Sequence, residues 1–141
     1  MPNPSDDELR KIYADTKVIA VVGASGDEKK AAHRIPAYLQ SQGYKIIPVT
    51  PKGGEVFGEK AYTSLEEIDE SIDVVDVFRP SEETPDVARQ AVAIGAKVLW
   101  LQAGISNDEA EQIGRAGGLQ VVMNMCMGAT HGRLGLGPGP D

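Results

Sequence analysis

Five places in this 141-residue sequence set small, basic or amide side chains directly after an apolar run. They are Gly23-Ala24-Ser25-Gly26, Thr50-Pro51-Lys52, Arg79-Pro80, Gln102-Ala103-Gly104 and Asn124-Met125-Cys126. The first is the most telling. A glycine turn between a buried strand and a helix faces the helix's unpaired N–H groups and its positive dipole end. A phosphate can approach such a turn only where the side chains are small. Gly23-x-x-Gly26 lacks the full Gly-x-Gly-x-x-Gly dinucleotide fingerprint, so a ligand-free turn is equally compatible with it. Lys52 narrows the kind of ligand. An NAD site wants an acid after the second strand to hold the ribose hydroxyls, and here no acid precedes Glu55. A cation at that place suits a ribose that carries its own phosphate, as in NADP or coenzyme A.

The remaining chemistry is less specific. Arg79 reads as a phosphate or adenine contact, or as a cap on nearby carbonyls. Gln102 reads as a ligand contact or as a partner for loop backbone. His33 and Arg34 follow the glycine turn, within reach of a phosphate or of solvent. Asp76 interrupts an apolar run, which predicts pairing with a cation or a place at the sheet edge. Catalytic machinery is hard to find. Ser25 has no Gly-x-Ser-x-Gly elbow around it. Cys126 and His131 are the only thiol–imidazole pair, five residues apart in an irregular segment, and a buried inert cysteine is the simpler reading.

Composition limits the classes. The length suits one domain able to bury a core without disulfides or metals, and 41% hydrophobic residues mark a globular chain. No apolar run approaches the roughly 18–20 residues of a membrane helix. The acidic, polar start (Ser5-Asp6-Asp7-Glu8) is unlike a signal peptide, so a cytoplasmic protein is expected. A net charge of −7 argues against nucleic acid or an anionic membrane as partner. One cysteine, two histidines and no Cys-x-x-Cys predict neither a disulfide framework nor a metal site.

The elements that must position these residues follow from periodicity and punctuation. Ser5 and Glu8 form a capping-box signature for a helix over 5–13. A strand is expected over 17–22 and a helix over 31–42, stopped by Gly43. Pro36 predicts that the regular helix begins late. A second strand over 45–49 contains Pro48, which places it at or near an edge. A short helix with a Ser64/Glu67 capping box precedes a strand over 74–78. Thr84-Pro85 opens a helix stopped by Gly95. A strand over 97–101, a helix over 107–116 and a strand over 120–123 complete the alternation. About five apolar strands separated by helices predict an α/β protein, a Rossmann-like, doubly wound parallel sheet. The expected organisation is a single domain over 1–131 and a flexible Gly/Pro-rich tail over 132–141.

The chain resembles the small single-domain coenzyme A-binding proteins, relatives of the N-terminal CoA-binding domain of the succinyl-CoA synthetase α subunit. The resemblance is carried by Val22-Gly23-Ala24-Ser25, Tyr38-Leu39, Gly43-Tyr44, Pro48-Val49-Thr50-Pro51, Val77-Phe78-Arg79-Pro80, Gly95-Ala96-Lys97, Trp100-Leu101-Gln102 and Cys126. It implies that residues 23–26 meet the ligand and that Pro51-Lys52-Gly53-Gly54 is a shortened coenzyme loop, with Lys52 its lysine. It further implies that Phe78, Arg79 and Pro80 lie near the nucleotide, and that Leu101, Gln102 and Ala103 correspond to a contact segment. Ligase chemistry does not carry over, because in the synthetase it needs a second domain.

The expected function is therefore binding of CoA or an acyl-CoA at the strand ends, without identifiable catalysis. Arg34 or Arg79 would join Lys52 on the phosphates, and Val49, Pro51 and Phe78 would pack on the adenine or pantetheine. An NADP-dependent oxidoreductase or nucleotide-linked redox sensor is the alternative. A mixed disulfide between Cys126 and the CoA thiol is a third. A homo-oligomer or a partner enzyme remains open.

Overall fold

The strands are runs of β-branched and small apolar side chains whose alternate members face opposite ways, so each strand supplies both sides of a covered sheet. In the computed structural model, which describes residues 3–139, the elements in chain order begin with α1 (Asp6–Asp15), β1 (Val18–Val22), α2 (Ala31–Ser41) and β2 (Lys45–Val49). A short hairpin follows, β3 (Glu55–Val56) and β4 (Glu59–Lys60). Then come β5 (Val74–Val77), α3 (Thr84–Ala93), β6 (Val98–Leu101), α4 (Asp108–Ala116), β7 (Gln120–Val122) and α5 (Met127–Arg133). The five main strands are all parallel, in the order β2-β1-β5-β6-β7. Strand order reverses between β1 and β5, which opens a crevice beyond their carboxyl ends.

One face of the sheet buries Ala20, Ile47, Val75, Val77, Leu99 and Val121 against Val87, Ala88 and Ala91 of α3 and Ala110 of α4. The other buries Ile19, Val21, Ile46, Val74, Trp100 and Val122 against Leu9, Ile12 and Tyr13 of α1, Leu39 of α2 and Met127 of α5. The Ser5 capping box forms as expected: its hydroxyl accepts from Glu8 N–H while the Glu8 carboxylate accepts from Ser5 N–H. Pro48 sits on edge strand β2. Its carbonyl accepts from Tyr62 on the outer side, so the missing N–H on that side removes no bond to β1.

Several local expectations are corrected. Pro36 lies inside α2 rather than delaying it. Proline cannot donate to the carbonyl four residues back, and that carbonyl, on Ala32, accepts instead from Ser25 N–H at 3.3 Å. The helix thereby ties down the glycine turn. Ser64 makes no side-chain cap; the following turn is a 3-10 helix over Leu65–Glu67, and Glu67 bonds Thr63 instead. Asp76 is neither at an edge nor paired with a cation. It is fully buried on the central strand, where Gln102 Nε2 donates to it. The segment around Cys126 is not irregular: α5 starts with Cys126 as its cap and runs past residue 131, and Leu134 is buried behind it. Gly139 N–H donates to the Gln42 carbonyl, while Pro140 and Asp141 lie outside the described residues.

Candidate functional site

The glycine turn is built by its backbone. Gly23 has φ +89°, and a Cβ there would lie 2.9 Å from Arg79 Cδ and 3.3 Å from the Phe78 carbonyl carbon. Only glycine lets the end of β1 pass under the end of β5 so closely. Gly23 N–H donates to Val49 and Ser25 N–H to Ala32, so these two donors are already used. Those of Ala24 and Gly26 have no acceptor among the described residues. Gly26 differs from Gly23: its φ is ordinary and a Cβ would meet nothing within 4 Å. That position is open toward solvent, not closed by packing.

These residues line a groove of about 460 Å³. Residues 23–26 form one wall; Thr50, Pro51, Lys52 and Gly53, after β2, form a second. Phe78 and Arg79, after β5, close the third side. The groove's cations are Lys30, Lys52 and Arg79, and among the described residues no carboxylate lines it, although the chain as a whole carries −7. Arg79 is partly committed, since its guanidinium donates to both Glu83 carboxylate oxygens at 3.0 and 3.1 Å. α2 begins beside the groove without a side-chain cap and without an acid in its first turn, so its positive end is uncompensated there. A second cavity of about 310 Å³ adjoins, sharing Gly23, Pro51 and Arg79 and adding Val49 and Leu65.

The expected site residues thus fall into two groups. Gly23, Ala24, Ser25, Gly26, Thr50, Pro51, Lys52, Phe78 and Arg79 come together on the groove, and Val49 lies on the adjoining cavity. Arg34, Pro80 and Gln102 do not line it. Arg34 is exposed, and its guanidinium donates to the Lys29 carbonyl. Pro80 is exposed where a 3-10 turn begins. Gln102 is 4% exposed and has both ends occupied, donating to Asp76 and accepting from Met127 N–H at 3.2 Å. Cys126 and His131 are engaged separately. The thiol accepts from Ala129 N–H, and His131 Nδ1 lies 2.8 Å from the Tyr38 hydroxyl.

Three lining residues escaped the sequence reading: Lys30, Ala32 and Val56. Lys30 is the capping position of α2 and was legible as a cation near a helix start. Val56 arrives on the β3–β4 hairpin, which has two residues per strand and gives almost no periodic signal.

The fold and groove together define a doubly wound α/β protein with a cation-lined, glycine-walled cleft where its strand order reverses. Residues 17–132 match the family model described as a CoA binding domain, and the chain belongs to that family. The uncharacterised protein YneT of Bacillus subtilis is 43% identical over 131 residues, 93% of this chain and 97% of YneT. A hypothetical protein from Pyrococcus horikoshii OT3 shares the fold with a TM-score of 0.90 at 40% identity, covering 93% of this chain and 92% of that one. An ADP-forming acetate–CoA ligase of Methanocaldococcus jannaschii is 27% identical over 139 residues, which is 93% of this chain but only 20% of the ligase. Among the described residues no helix is long and apolar enough to cross a membrane.

Proposed function

We propose that this protein binds coenzyme A or an acyl-CoA in the groove at the carboxyl ends of β1, β2 and β5, as a cytoplasmic protein. The observation that carries the reading is the groove's composition: a glycine wall with two unused N–H groups, three cations and no lining carboxylate among the described residues. Ala24 and Gly26 N–H would meet the pyrophosphate, with Lys30 and the start of α2 adding to the field. Lys52 would hold the phosphate on the ribose. Phe78, Pro51 and Val56 offer apolar surface for the adenine or the pantetheine arm. Arg34, Pro80 and Gln102 are left out of this reading by their positions.

A thermal-shift series with CoA, dephospho-CoA, NADP and NAD tests the ligand class. A ligand bound only by the folded state stabilises it by about 2.7 kcal/mol at a hundred times its Kd. CoA is expected to raise Tm most and NAD least. A larger shift with NADP than with CoA would move the site to the redox class.

A further inference from the structure

His33 is half-buried and does not line the phosphate groove. It sits in the first turn of α2 with its ring folded back, Nδ1 lying 2.7 Å from the Ser25 carbonyl oxygen. A carbonyl can only accept, so Nδ1 carries the proton. The imidazole also lies against Phe57, ring centroids 4.9 Å apart and tilted by 41°. Phe57 is at the tip of the β3–β4 hairpin with φ +60°, a left-handed conformation unfavourable for a bulky residue. The His33 ring, the Gln40 amide, which donates to the Phe57 carbonyl at 3.0 Å, and packing of the Phe57 side chain against the α1/α2/α5 side of the core hold it there. The same hairpin contributes Val56 to the groove, and it is joined to the Lys52 loop through Gly53 and Gly54, with φ +62° and +83°.

We propose that His33 is a positioning residue that bridges the glycine turn to the Phe57 tip of the hairpin, so that turn and hairpin close on the coenzyme as one unit. The inference rests on the CoA reading of the groove. Gly53 and Gly54 supply the left-handed backbone at the base of the hairpin, where Gly53 N–H donates to Thr50 and Ala61 N–H to Gly54; His33 and Gln40 anchor its far end to α2. Because Ser25 stands in the turn and Val56 in the groove wall, loosening His33 loosens both walls together.

The test has two arms on wild-type protein and the His33→Ala, His33→Asn, Phe57→Gly and His33→Ala/Phe57→Gly variants. In ligand-free protein, amide hydrogen exchange over residues 55–60 should quicken roughly tenfold in His33→Ala, about 1.4 kcal/mol, the scale of one lost hydrogen bond or ring contact. Tm should fall by no more than a few degrees. His33→Asn can keep a donor for Ser25 but has no ring for Phe57, so hairpin exchange should quicken as in His33→Ala. With CoA bound, stopped-flow dissociation should be roughly tenfold faster in each single variant and no faster in the double variant than in the faster single. Folded His33→Ala protein with wild-type exchange and dissociation would overturn the bridge, and so would single effects that multiply. Should His33→Ala fail to fold, Phe57→Gly tests the same bridge from its other end while relieving the left-handed strain. Wild-type protein that takes up no CoA overturns the ligand reading, and the exchange arm then decides the bridge by itself.

Discussion

Replacing Asp76 with Asn should remove a steady loss of stability between pH 4 and pH 7. Asp76 lies on the central strand with no solvent exposure; Gln102 donates to one carboxylate oxygen, and the other has no partner among the described residues. Burial pushes its pKa up to about 7 from an ordinary 3.8, with the Gln102 bond offsetting only part of that. A carboxyl whose folded pKa lies above its unfolded value binds its proton more tightly in the native state. Its stabilising contribution is complete below the unfolded value and is lost as pH rises through the folded one. A shift of about three units corresponds to about 4 kcal/mol. With a urea m-value of about 2 kcal/mol/M, that moves the unfolding midpoint by about 2 M. Other groups titrate nearby. Asp73, where backbone N–H groups of Lys17 and Val18 and the Lys97 ammonium outweigh burial, is held below its usual range. His131, pushed down by burial, has the opposite slope to Asp76 near neutrality. Both are present in wild type and variant alike, so the informative quantity is the difference between the two proteins. Urea titrations at pH 4, 5.5, 7 and 8 should show wild type losing stability relative to Asp76→Asn as pH rises. A difference that stays constant across that range would refute the reasoning.

Further outcomes separate the groove from the scaffold. Gly23→Ala forces a left-handed alanine against Arg79 and the Phe78 backbone, and should cost about 2 kcal/mol in chemical denaturation. Gly26→Ala, with open space for its methyl, should leave stability within about 0.5 kcal/mol while weakening CoA binding roughly tenfold by calorimetry; the reverse pattern would contradict the site. Lys52→Ala should weaken CoA roughly tenfold and leave dephospho-CoA nearly unchanged, if the lysine holds the ribose phosphate; equal losses for both ligands would place Lys52 elsewhere. Tyr13→Phe removes a hydroxyl donating to the Met127 carbonyl at 2.6 Å, and should lower stability by about 1–2 kcal/mol in a thermal melt, with no change in CoA affinity.

The parallel sheet was legible because its strands carry apolar runs broken internally only by Asp76, and its helices carry glycine stops at Gly43 and Gly95, both with positive φ. The groove was legible for the same reason: strand ends in such a sheet converge, so Gly23, Lys52 and Arg79 could be brought together from chain order alone. Tertiary compensation was not legible. Pro36 reads as a breaker, yet Ser25 uses the carbonyl it frees. Asp76 reads as a cation's partner or an edge residue, yet it meets an amide across 26 positions of sequence. α5 is capped by a cysteine and contains Gly128 and Gly132, which hide a seven-residue helix. The hairpin turns through Phe57-Gly58, where Gly58 suits the left-handed pair that the backbone adopts but Phe57 does not announce it.

The central claim is that the glycine-walled, cation-lined groove takes CoA. Calorimetric titration of the folded protein with CoA at moderate ionic strength tests it most directly. The account predicts saturable binding of one CoA per chain with a Kd below the millimolar range, weakened by Gly26→Ala and Lys52→Ala. A folded protein that gives no binding isotherm at millimolar CoA would contradict it.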